Sequence, residues 1–371
     1  MIRYEDVRFK ILRNRSDYGF LVPKSGSAPS LRCRSDAEIK MSITGDFFPY
    51  AVDSRGQRQE IDWLADEIQP LLYLNGVEHK LNIFAAASVT NSETETGSYV
   101  SIEAYDRCWR VRDTKMESIL HIPSGVNYLY PVKQLLAACG ISDVVEIATS
   151  ATIPEPREDW AVGTSYLTII NDLLREINYN MLWFDSAGYA MLQPIAKTTA
   201  ENVQHILSNR KTNPRDRRSI GIISMKKDIK SVMDIYNAAN VFVCSCSNPD
   251  KDGIMIATAE NNNPQSPISI PRRGRRIMDY EDVRNIASQQ ELQKYAEQKR
   301  DKSMFTNEVI ECDTLLAPSF GVSDVVGLHL GDVDNPDRMD YLCIEKSWDM
   351  QLKVGGIMKH QLERVVYNID G

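Results

Sequence analysis

The first third of the chain alternates polar and apolar residues with a period of two. Residues 37–43 (Ala-Glu-Ile-Lys-Met-Ser-Ile) carry the pattern of a half-buried strand. Residues 71–74 are apolar and run into Asn75-Gly76, a pair suited to a type I′ hairpin because both central residues take positive φ. Residues 77–84 supply the return strand, with Val77, His79, Leu81 and Ile83 on one face. Residues 91–97 read as a polar turn, and residues 99–104 as the next strand. Short strands separated by turn signals predict a sandwich or barrel.

The period changes after residue 112. Val132, Leu135, Leu136 and Cys139 recur at helical spacing, so a helix is expected over 130–140 with Gly140 as its stop. A second helix is expected over 165–178. Its stripe is Tyr166, Ile170, Leu173, Leu174 and Ile177, and Thr164 or Ser165 is its cap. Residues 180–194 read as a hairpin around Asp185-Ser186-Ala187-Gly188. Residues 198–218 are polar and read as a linker or long loop.

Beyond it the chain is again β-rich. A hairpin is expected over 241–257 around a polar turn at 248–252, followed by a polar loop at 261–267. Ser288 and Glu291 form a capping-box pattern, and Leu292, Tyr295 and Ala296 continue it as a helix. Strands are expected over 309–316, 325–330 and 340–344. A last hairpin over 349–366 folds back across Gly355-Gly356. The fold class is therefore mainly β with α+β. A β-rich region spans 1–112, an α+β region 113–197, and a second β-rich region 198–371 with a helical insertion at about 278–304. No sequence repeat relates the two β-rich regions.

Composition narrows the function. The 371 residues include 43 basic and 51 acidic side chains, a net charge of −8. That excludes a globally basic nucleic-acid binder, and residues 36–70 form an acidic stretch. The seven cysteines, Cys33, Cys108, Cys139, Cys244, Cys246, Cys312 and Cys343, contain no CxxC pair. Reduced thiols buried as small hydrophobes are expected instead of a zinc ribbon or a redox site. The first fifteen residues are charged throughout and do not read as a secretory signal. No apolar run approaches the roughly 20 residues that span a bilayer.

No catalytic constellation stands out. There is no G-x-S-x-G elbow, no phosphate loop and no HExxH, and His79, His121, His205, His329 and His360 are far apart in sequence. Asp279, Glu281 and Asp282, like Glu93 and Glu95, are carboxylates close in sequence that read as solvated surface rather than a glycosidase pair. Cys244 and Cys246 fall on one face of a strand without further ligands nearby. The basic clusters at 210–218 and 272–276 lack the interleaved aromatics of a single-strand binder and read as loops or protein interfaces. Trp160, Trp183, Phe184 and Trp348 are candidates for sugar stacking or core packing. No catalytic, cofactor-binding or metal-ligating residue is expected.

Four stretches, in this order and spacing, resemble the tail-hub (baseplate hub, late-control-D-like) family of tailed bacteriophages and phage-derived particles. The first is 38–49 with 62–70 and the hairpin 74–84. The second is 163–179 with 182–188 and 192–194. Arg275-Arg276-Ile277 before the Ser288 helix, and 340–344 through Leu352 and Gly355-Gly356 to Met358, complete the match. The resemblance implies two tail-tube-like β-barrel domains, at 1–112 and 198–371, flanking an α+β domain and sharing one topology. It implies a non-enzymatic homotrimer, a ring that adapts a sixfold tail tube to a threefold tip. The channel would pass the tape-measure protein and then DNA. Implied partners are the tail tube or distal tail protein, the spike and the tape measure. The implied location is the virion tail, assembled in the host bacterial cytoplasm. A lumen passing a polyanion favours acidic or neutral walls, so the arginine clusters should face outward or into protein interfaces. The alternatives are a glycan- or receptor-binding tail module and a cell-wall hydrolase.

Overall fold

The computed structural model describes residues 3–95, 97–196, 199–210, 222–233, 238–247, 254–283, 286–304, 308–331 and 339–365. The chain begins with nine strands: β1 (Glu5–Arg13), β2 (Ser16–Pro23), β3 (Ser30–Arg34), β4 (Met41–Val52), β5 (Arg58–Gln59), β6 (Glu67–Leu74), β7 (Val77–Lys80), β8 (Phe84–Thr94) and β9 (Gly97–Asp106). Six of them close on themselves in the order β4-β2-β1-β6-β8-β9 and back to β4, every pair antiparallel. Alternate residues such as Phe9, Ile11, Ile43, Phe47 and Ile102 are buried in its core. Phe9 and Phe47 meet edge to face at 5.0 Å.

The Asn75-Gly76 turn has φ of 51° and 85°, as the type I′ reading requires. Two expectations shift. The strand assigned to 37–43 starts only at Met41, because the Lys40 ammonium is buried and donates to the Ser35 and Ala37 carbonyls at 2.7 and 2.6 Å. That folds the preceding residues into a bend. The polar residues 91–94 are not a turn but strand, paired out to Thr94–Gly97. Their side chains stand in water, so polarity does not interrupt the ladder.

The middle of the chain contains α1 (Cys108–Asp113), α2 (Leu129–Ala138), β10 (Val144–Glu146), α3 (Tyr166–Glu176), β11 (Trp183–Phe184) and β12 (Ala190–Leu192). The strands form a small sheet in the order β10-β12-β11. Ser165 caps α3, its hydroxyl accepting from the Thr168 N–H at 3.1 Å, and Gly140 ends α2's turn at φ 75°. A separate core, including Val132, Leu136, Ile170 and Leu174, holds this unit together.

The last part adds β13 (His205–Ser208), β14 (Ile222–Ser224), β15 (Lys230–Met233), β16 (Val241–Ser247), β17 (Ile254–Glu260), α4 (Ile270–Arg273), β18 (Met278–Asp282), α5 (Gln289–Ser303), β19 (Glu308–Leu315), β20 (Val325–His329), β21 (Tyr341–Gln351) and β22 (Ile357–Val365). A second ring runs β14-β13-β20-β21-β22-β19. It closes where Met225, just after β14, bridges Thr314 of β19. Its β13 pairs are parallel, whereas the first ring has only antiparallel pairs, so the expected common topology is corrected at the level of strand pairing. The stretch read as linker contains β13, whose short buried run of His205, Leu207 and Ser208 is hidden among polar neighbours. Residues 211–218 lie outside the described residues.

The two rings belong to one 16-stranded sheet. β3 joins them, pairing with β4 on one side and β21 on the other. One hydrophobic core runs through both.

The insertion at 278–304 is also corrected. Residues 278–282 are β18, parallel to β16, and helix begins only at Gln289. Met-Asp-Tyr-Glu-Asp alternates with period two. Asp279 and Glu281 face α5 and share Lys299, at 2.9 and 2.7 Å. The expected hairpin is present as β16 and β17, although its turn at 248–252 lies outside the described residues.

Ser288 caps α5 by accepting from the Glu291 N–H at 3.2 Å. The reciprocal half of the capping box is replaced: the Glu291 carboxylate accepts from the Asn178 side chain of the middle unit and from Lys294. Ser288→Ala should lower stability by about 1 kcal/mol. Urea unfolding of the variant checks this, and an unchanged midpoint would remove the cap from the account.

Candidate functional site

The strongest polar constellation lies inside the second ring. β19, β21 and β22 bring Thr314, Glu345 and His360 together from three strands. His360 Nε2 is 2.9 Å from the Thr314 hydroxyl, and His360 Nδ1 is 2.8 Å from Glu345 Oε2. The order hydroxyl, imidazole, carboxylate is that of a nucleophilic triad. All three are at most 2% exposed, and the Thr314 hydroxyl is also bonded to the Leu315 carbonyl. At this depth in the barrel wall the three side chains form a buried polar network. Burial raises the Glu345 carboxyl above the ordinary range, and Glu345 Oε1 has no partner among the described residues.

Phe320 links this network to a second pair. Its ring lies 4.7 Å from His360 and 4.1 Å from His205, and His205 Nε2 is 3.0 Å from Asp324 Oδ2. Two of the five scattered histidines therefore share one aromatic neighbour. His121, by contrast, pairs with Glu158 at the surface at 2.7 Å. No group of three or more His, Cys, Asp or Glu side chains among the described residues is arranged to hold a metal.

Beside His205 and Asp324 lies a cavity of about 330 Å³, at the meeting point of both rings and the middle unit. Leu31, Met41, Trp183, Phe320, Trp348 and Met350 supply its apolar walls, and Asn82, Asp185, Ser186 and Gln204 supply polar groups. Two of the four sugar-stacking candidates, Trp183 and Trp348, meet here. Phe184 is fully buried. Trp160 is buried in the middle unit, bonded to Asp172 at 3.1 Å with Arg157 over its ring.

Two further buried polar sites hold the units together. Asp106, at the end of β9, accepts from the Met41 and Cys108 N–H groups at 2.9 Å each, and burial pushes its carboxyl up to about 6. Lys40 lies close by and is lowered by its own burial. Arg107 reaches Glu67 at 3.1 Å and the Gly188 carbonyl at 3.1 Å, tying the first ring to the β11–β12 turn.

The other candidates resolve as packing or surface. Cys244 and Cys246 do share a strand face, where they pack with Leu292 and Ala296 of α5. All seven cysteines are free and buried. Glu93 and Glu95 are exposed near the end of the β8–β9 hairpin. Arg210 is held by Asp340 at 2.6 Å, and Arg276 by Glu260 at 2.5 Å. Sequence reading missed Lys40, Asp106 and the Thr314–His360–Glu345 network. Their partners are distant in the chain, and no local signal joins them.

No family model and no curated protein matches the chain. Among solved structures it is similar to a tail protein from Neisseria meningitidis, at 10% identity and TM-score 0.63, covering 96% of each chain. It is also similar to the 43 kDa tail protein of prophage MuSo2 from Shewanella oneidensis, at 12% identity and TM-score 0.62, covering 97% of this chain and 98% of that one. A prophage tail protein from Listeria monocytogenes aligns at 11% identity and TM-score 0.57, over 98% and 95%. The chain has the mainly β fold of phage tail proteins.

Proposed function

We propose that this chain is the structural hub of a phage or phage-like tail. Three copies form a ring that adapts a sixfold tail tube to a threefold tip. The observation that carries the reading is the pair of closed strand rings joined edge to edge through β3 within one chain. Two barrels per chain and three chains give six barrels, which is the arithmetic a sixfold tube needs at its end. The functional units are the ring-forming regions 1–112 and 198–371 and the α+β unit 113–197. The ring binds the tail tube or distal tail protein on one side and the spike on the other. Its channel passes the tape-measure protein and transiently DNA. The protein resides in the virion tail after assembly in the bacterial cytoplasm. No helix among the described residues is long and apolar enough to cross a membrane.

The hub works without bond-making chemistry. Its nearest approach to a catalytic array, Thr314–His360–Glu345, is sealed in the core. Particles lacking this chain should show no complete tails, and the purified chain should not turn over peptidoglycan. Normal tails without it, or cell-wall turnover abolished by Glu345→Gln in a variant that still folds, would overturn the reading.

A further inference from the structure

Four large apolar side chains share one open face of the sheet β17-β16-β18. Ile254 and Ile256 of β17 and Met278 and Tyr280 of β18 are each 57–66% exposed. The register sets Ile256 opposite Ser245 and Tyr280 opposite Val243, so all four project from the same side. The other side of this sheet carries Cys244, Cys246 and Ala257, packed with Leu292 and Ala296 of α5. At the start of β16 and β18 the exposed Arg275 stands close by, its carbonyl accepting from the Asn240 side chain at 2.9 Å, and Arg272 is exposed on α4 just ahead of it; neither makes an ion pair among the described residues. An apolar patch with a basic border fits an apolar knob flanked by carboxylates.

The chain itself presents such a knob. Leu64, between β5 and β6, is the most exposed large hydrophobic among the described residues, at 101%. Glu60 and Asp62 stand beside it in water. The loop is held in shape. Asp62 Oδ1 accepts from the Leu64 N–H at 3.1 Å, and Asp66 Oδ2 accepts from the Asp62 N–H at 2.9 Å. Arg13 grips Asp66 with two bonds of 2.8 and 2.7 Å. Arg13 also donates to the Glu60 carbonyl at 3.1 Å, and Arg58 of β5 lies over the Tyr50 ring at 4.3 Å, so neither guanidinium is bonded to the Glu60 or Asp62 carboxylate. A leucine fixed in full exposure carries little ordering cost on docking.

We propose that the Leu64 loop of one copy seats on the β17-β16-β18 face of the next, with Glu60 and Asp62 against Arg272 and Arg275. This inference rests on the ring reading above and names a contact that builds the ring. Knob and face lie on different parts of the chain. The contact is therefore head to tail, and such contacts generate closed rings when the rotation between copies allows it.

The test uses the full chain, with mass measured in solution at tens of micromolar. Wild type should sediment at about three times 42.1 kDa. Leu64→Asp and Ile256→Asp alter exposed residues, so circular dichroism and Tm should stay at wild-type values. Each should weaken association about tenfold or more and yield monomer. Mixing the two variants is the diagnostic step. One intact knob and one intact face remain, so a 1:1 dimer should form and no trimer. A trimeric wild type whose two variants still trimerise overturns this contact alone, as does a mixture that stays monomeric. A monomeric wild type overturns the ring reading together with it.

Discussion

Arg157→Met is expected to destabilise the chain by about 3–5 kcal/mol at pH 8, the usual cost of leaving one partner of a buried ion pair alone. Arg157 Nη1 donates to Glu176 Oε2 at 2.8 Å, and the carboxylate is only 3% exposed. Among the described residues Glu176 Oε1 has no hydrogen-bond partner of good geometry, and the guanidinium, ahead of the Tyr128 hydroxyl, is the main compensation for burying this charge. Burial pushes the Glu176 carboxyl up to about 7 against an ordinary 4.5.

The sign of the pH effect follows. Between pH 7 and 4.5 the folded protein holds a proton that the unfolded chain does not, so stability rises as pH falls through that window. Without Arg157 the carboxyl is raised further, so the variant gains more on acidification. Its deficit should shrink between pH 8 and pH 5. Replacing both partners, as Arg157→Met with Glu176→Leu, should recover most of the loss, because an apolar pair carries no desolvation cost. Urea unfolding at both pH values measures each point. A deficit independent of pH would mean that the variant fails for another reason, such as lost packing on Trp160.

Trp348→Ala should cost a further large amount, about 3–5 kcal/mol. Trp348 stands on β21, opposite Cys33 of β3 and His360 of β22, where the two rings meet. It is 3% exposed, and its indole N–H donates to the Gly321 carbonyl at 3.3 Å. Truncation enlarges a cavity already present on its other side, and the surrounding strands are tied by their ladders and cannot close over it. Trp183→Ala, on a half-buried wall of the same cavity, should cost less. The Trp348 variant should also unfold in two steps, because the seam coupling the rings is weakened. A loss below about 1 kcal/mol with one cooperative transition would contradict the junction described here.

Legibility in the sequence tracked the range of the interactions. Asn75-Gly76 announces its turn because the required φ signs are a property of those two residues. Ser165 and the Ile170, Leu173, Leu174 stripe announce α3 for the same reason. Ring closure is different. It depends on pairs such as Ser42–Tyr105 and Met225–Thr314, which no local pattern encodes. β13 stayed hidden because four residues are too few for a period to show. β18 stayed hidden because its carboxylates look solvated until Lys299 arrives from α5. The Thr314–His360–Glu345 network was invisible because its members stand on three strands. The resemblance supplied what periodicity could not, namely the expectation of two barrels in one chain. It did not reveal that the second ring would contain parallel pairs.

Imaging the assembled protein in its particle is the most direct measurement of the central claim. The expected result is a ring of three copies in which six barrels alternate around an open channel, with the 272–276 arginines away from its wall. A monomer or a hexamer at that position, or a channel wall dominated by those arginines, would contradict it.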